Sequence, residues 1–104
     1  MTVASVSSVT ALLLPVWLAR REIICDRIKS VRLTLEQGPE SATDSAMVSA
    51  HQLRGSLGTF GFASGSTLLG EVEQLLKSGD ASAAQCSELA ERLRVLEAEL
   101  AAAG

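Results

Sequence analysis

Apolar side chains recur along this chain at intervals of three and four, in four runs separated by short breaks rich in glycine, proline and serine. The first run follows Pro15, whose missing N–H costs little in the first turn of a helix. It places Ile24, Ile28, Val31 and Leu35 on one stripe and is predicted to end near Glu36, before Gly38-Pro39. The second helix is predicted to begin between Ser41 and Asp44, with Ala46, Ala50, Leu53, Leu57 and Phe60 as its buried face. The stretch from Gly61 to Gly65 reads as the next break. Leu68, Leu69, Val72, Leu75 and Leu76 then form a third core face, ended by Ser78-Gly79-Asp80. The fourth helix starts near Ser82, where Ser82 and Gln85 have capping-box spacing, and carries Cys86, Leu89, Leu93, Leu96 and Leu100. Nowhere do Val, Ile and Thr alternate in period two over a useful length. The pattern therefore predicts an all-α fold, an antiparallel four-helix bundle over about residues 16–103. Residues 1–14 are expected to add a short N-terminal helix or cap within a single domain spanning 1–104.

Composition narrows the function classes. The length of 104 residues suits one domain, and 47% hydrophobic against 20% charged residues marks a globular chain. A net charge of −3, from nine basic and twelve acidic residues, offers no concentrated basic face for nucleic acid. Arg20-Arg21 and Arg27, Lys29 and Arg32 are interspersed with Glu22 and Asp26, which reads as a solvated helix flank. Glu88 and Arg92 are spaced for a surface ion pair within the fourth helix. Cys25 and Cys86 form no CxxC, and one histidine leaves no plausible zinc ligand set. Both cysteines read as small buried hydrophobes of a reducing, cytoplasmic setting. Residues 2–19 carry no charge, yet Ser, Thr and Pro15 interrupt them, and the basic pair follows the run instead of preceding it. That order argues against a signal peptide and against a membrane span.

The candidate chemistry lies in the second helix. At about 100° per residue, His51 falls about 140° from the centre of the apolar stripe, so it should face solvent. Arg54, Gly55 and Gly58 share that face at i+3, i+4 and i+7. An interior glycine costs a helix about 0.5–1 kcal/mol relative to alanine. Two on an exposed face gain no packing within the domain, but they remove bulk beside the imidazole. Met47 and Val48, one turn earlier, would give a docking partner apolar surface. Imidazole is a suitable nucleophile because an unperturbed ring is partly neutral near pH 7.

These residues carry a resemblance. The stretch "AHQLRGSLGTFGF" resembles the signature of the histidine-containing phosphotransfer (HPt) domain: His51, Leu53, Arg54, Gly55, Ser56 and, near the helix end, Gly61. "GSTLLGEVEQLL" is similar to the family's following helix. The likeness extends from about Val16 to the C-terminus and is strongest from Ala50 to Leu76. Position 54 is Arg where Lys is frequent, and position 73 is Glu where Gln or Glu is common. The resemblance implies a phosphoryl carrier of a His–Asp phosphorelay and not an autonomous enzyme. His51 would accept the group from a receiver-domain aspartate, Glu73 would hold Nδ1, and Arg54 would offset phosphoryl charge. It further implies receiver domains and a (hybrid) sensor histidine kinase as partners. Mg²⁺ would come from the receiver, and this chain would bind no metal of its own. A non-catalytic adaptor or inhibitor with the same bundle is the competing reading. The chain is expected to be a monomer or a weak dimer in which the apolar N-terminal residues self-associate.

Overall fold

The computed structural model describes residues 12–41 and 43–103. Four helices follow in order: α1 (Leu14–Glu36), α2 (Asp44–Thr59), α3 (Ala63–Ser78) and α4 (Ala83–Ala102), with a single 3-10 turn at Pro39–Ser41. No strand occurs among the described residues. The expected extra helix or cap over residues 1–14 lies outside the described residues except for its last three. Of these, Leu12 and Leu13 form a turn and Leu14 opens α1.

Local chemistry accounts for each boundary. Pro15 occupies the first turn of α1. The Thr43 hydroxyl accepts from the Ala46 N–H at 3.1 Å, and Asp44 adds negative charge at the positive end of α2. Ser82 and Gln85 make the reciprocal pair of a capping box, at 3.1 and 2.9 Å, to open α4. Gly61, at φ 90°, turns the chain between α2 and α3, and Gly79, at φ 72°, ends α3 in the left-handed conformation.

Neighbouring helices run antiparallel around the bundle. The most extensive packing is α2 on α3 and α1 on α4. Ile28, Leu57, Leu69 and Leu93 are fully buried along the axis, each worth about 1.5–3 kcal/mol when removed from water. The aromatic residues gather where α1 begins and α2 ends: the Trp17 ring lies 5.4 Å from Phe60 and 4.8 Å from Phe62. The Trp17 Nε1–H is buried with no hydrogen-bond partner among the described residues.

Several expectations need correction. The break between α2 and α3 is confined to residues 60–62, and Gly65 lies buried inside α3. A Cβ at Gly65 would stand 3.2 Å from Leu57 Cδ1 and from Leu96 Cδ1, so this glycine lets three helices approach closely. Arg32 is not part of a solvated flank. Its guanidinium is buried between α1 and α4, bonded to Glu97 and, at 2.9 Å, to Glu36. Arg94 adds a 2.7 Å bond to Glu36 from α4. Arg92 bonds across the α3–α4 seam to Glu71, at 2.8 and 3.3 Å, instead of pairing with Glu88 in its own helix. Cys86 is buried and Cys25 half-buried; both are free, and burial pushes both thiols up. Among the described residues, no helix is long and apolar enough to cross a membrane.

Candidate functional site

One stripe of α3 faces α2 beside its core face: Ser66, Gly70, Glu73 and Lys77, spaced four, three and four apart. Antiparallel pairing sets each against a definite partner. The Ser66 hydroxyl donates to the Arg54 carbonyl oxygen at 2.8 Å, tying the middle of α2 to the start of α3. The Arg54 stem crosses Gly70, where an added Cβ would meet its Cδ at 3.2 Å. One turn further along, Glu73 Oε2 lies 3.0 Å from His51 Nδ1.

Glu73 anchors the site. Its side chain is 4% exposed, against 61% for His51, 55% for Lys77 and 43% for Arg54. Oε2 receives Lys77 Nζ at 3.1 Å in addition to the imidazole, and Oε1 faces Arg54 Nη1 at 3.5 Å without a hydrogen bond. The Lys77 ammonium, ahead of the imidazole, holds the Glu73 carboxyl below its ordinary range, against the opposing effect of burial. An ionised carboxylate only accepts, so Nδ1 must donate to it. A neutral ring then carries its proton on Nδ1 and its free lone pair on Nε2, which has no hydrogen-bond partner among the described residues.

The approach to the ring is open on the C-terminal side. Gly55 is exposed, and a Cβ built there meets nothing within 4 Å. Gly58 is also exposed, though a Cβ there would touch Ser66 Oγ at 3.5 Å, an ordinary contact. Val48 presents apolar surface, whereas Met47 is half-buried and packs against the core, because its long unbranched chain folds inward. The expectation of two exposed apolar residues thus holds for Val48 and only in part for Met47. His51, Glu73 and Lys77 line a recess of about 620 Å³ together with Asp44, Met47 and Val48. Arg54 instead lines a separate groove of about 810 Å³ between α3 and α4.

The structure brings His51, Glu73 and Arg54 together as expected in position, and adds Lys77, which sequence reasoning passed over. Its signal was visible: Glu73 and Lys77 have the i,i+4 spacing of a helical ion pair. Among the described residues, no group of three or more His, Cys, Asp or Glu could hold a metal ion. A family model described as the Hpt domain matches residues 21–103. No curated protein and no solved structure gives a significant match.

Proposed function

The chain belongs to the Hpt domain family, whose role is phosphotransfer in His–Asp phosphorelays, and from that premise we propose that His51 is the residue that carries the phosphoryl group. The reading rests on the bond from Nδ1 to the buried Glu73 carboxylate, which leaves Nε2 as the free nucleophile on an exposed ring. In the forward step the Nε2 lone pair attacks phosphorus of a receiver's aspartyl phosphate. A P–N bond forms, the P–O bond to the aspartate breaks, and the carboxylate leaves with the electron pair. The Nδ1 proton stays on the ring, where Glu73 offsets the positive charge that develops. The reverse step passes the group to a second receiver.

This chain's part is to present an oriented imidazole without bulk around it. The receiver brings the aspartate and, with it, Mg²⁺. Arg54 supplies positive charge one turn from the ring, and Val48, Met47, Gly55 and Gly58 form the surface that a receiver or a hybrid sensor kinase meets. A cytoplasmic setting belongs to the same reading.

The test is chemical. Wild type and His51→Gln are incubated with phosphoramidate, a small donor, and their intact masses and acid lability are compared before and after adding candidate receivers with Mg²⁺. The expected outcome is one acid-labile phosphoryl on wild type alone, removed by a receiver. Label retained by His51→Gln, or label that no receiver discharges, would overturn the proposal.

A further inference from the structure

Helix α1 carries two apolar stripes. One is buried: Trp17, Ile24, Ile28, Val31 and Leu35. The other lies about 130° around the helix. It holds Leu12, Val16, Ala19 and Ile23, spaced four, three and four apart and all exposed. After Asp26 and Ser30 the same alternation reaches Leu33, also exposed. Leu12 is 91% exposed, Val16 46%, Ile23 49% and Leu33 43%. Apolar residues exposed singly need no explanation. A run of them on the outer face of a bundle helix, where polar residues belong, marks a surface that meets something. None of these residues lines the His51 recess.

Spacing and flanking charge say what it meets. Alternating steps of three and four form the seam of a coiled coil, whose flanking e and g positions set partner and orientation. With Val16 and Ile23 at a and Ala19 at d, Glu22 takes g and Arg27 takes e. In a parallel pair, a g residue of one helix meets the e residue five positions on in the other. Glu22 of each copy therefore meets Arg27 of the second copy, and the two-fold axis makes the contact twice. Both residues are exposed, and neither has an ion-pair partner among the described residues. The other flanking cations, Arg20 and Lys29, fall opposite Pro15 and Thr34, so no like charges meet there. Asp26 lies on the seam itself, beside Arg27 of the second copy, and limits the strength of the contact. An anionic lipid surface suits the stripe less, because Glu22 and Asp26 would face it.

We propose that the exposed stripe of α1 is a self-association surface: two copies pair there in parallel, as a weak reversible dimer flanked by two Glu22–Arg27 ion pairs. The proposal uses residues of α1 alone and stands apart from the role of His51.

Sedimentation equilibrium of the full chain, at concentrations up to about 1 mM, is the test. Wild type should fit a monomer–dimer equilibrium. Ile23→Glu should weaken the dimer about tenfold or more, with an unchanged melting curve because the side chain is outside the core. Glu22→Arg and Arg27→Glu should each weaken it about threefold, and the two together should recover most of the loss. Asp26→Leu should tighten it. Wild type that stays monomeric over the whole range would overturn the proposal. So would a dimer that Ile23→Glu leaves intact, or one that the double charge exchange does not recover. A chain that remains monomeric but sediments with vesicles of phosphatidylcholine and phosphatidylglycerol would overturn it in favour of lipid.

Discussion

Gly55 lets the cost and the use of an exposed glycine be measured separately. It lies inside α2, away from the glycines of positive φ, and a Cβ there would meet nothing within 4 Å. Gly55→Ala therefore adds no clash and removes backbone freedom from the unfolded chain, a gain of about 0.5–1 kcal/mol. For a domain of this size that raises the melting temperature by about 2–5 °C. Gly55→Leu should keep most of the stability gain but stand a bulky side chain one turn from the imidazole, where a receiver must approach. Each variant is melted by circular dichroism and then labelled with two donors, phosphoramidate and a phosphorylated receiver. Gly55→Leu should accept from the small donor at nearly the wild-type rate. It should lose about tenfold or more with the receiver, equivalent to about 1.4 kcal/mol of docking energy. A leucine variant that is stabler and equally fast with both donors would refute the idea that this glycine exists for access. Slowing with both donors would place the damage at the imidazole and not at the interface.

Gly65 should show the opposite sign. Gly65→Ala pushes a methyl against Leu57 and Leu96, and overpacking of about 1–3 kcal/mol should outweigh the helix-propensity gain, giving a lower urea midpoint; a raised midpoint contradicts the close-packing role. Trp17→Ala should cost about 3–5 kcal/mol. Trp17→Phe should cost clearly less, because both variants remove the unpartnered indole N–H but only phenylalanine keeps a ring packed against Phe60 and Phe62; equal losses in urea titration would contradict the aromatic packing. Glu73 titrates lower in the folded chain than in the unfolded one, so its contribution to stability is present above its ordinary value of 4.5 and is lost as pH falls through the lowered folded value. Glu73→Gln should flatten that acid limb when unfolding is followed downward from neutral pH, and an equally steep limb in the variant would assign the loss to other groups.

The bundle was legible because its core is written at helical spacing and its caps are written in side chains. Thr43, Ser82, Gln85 and Gly79 act where local chemistry says they should. The errors share one cause: reading each helix by itself. Arg32 looks like a solvent residue until Glu97 of α4 is set beside it. Glu88 looks like the partner of Arg92 until Glu71 of α3 arrives. Gly65 looks like a breaker when its neighbours in α2 and α4 are unknown. The same limit explains the site. His51, Arg54 and Gly55 stand on one face of one helix and were readable as a group. That Glu73 would be a buried anchor, and that Lys77 would share it, depends on how α3 lies against α2.

The division into two tightly packed pairs, α2 with α3 and α1 with α4, also separates two kinds of heritable change. His51, Arg54, Glu73 and Lys77 all lie on the first pair, within one unbroken segment of chain and a single tight turn. The second pair is latched by Arg32, Glu36, Glu97 and Arg94, which form no ion pair with these four among the described residues, although Arg54 borders α4 across the groove between α3 and α4. Drift in α1 and α4 would thus alter how long the protein lasts, and drift in α2 and α3 would alter whom it speaks to. A lineage could rewire its signalling partners by exchanging the α2–α3 hairpin while inheriting the flanking α1 and α4 unchanged.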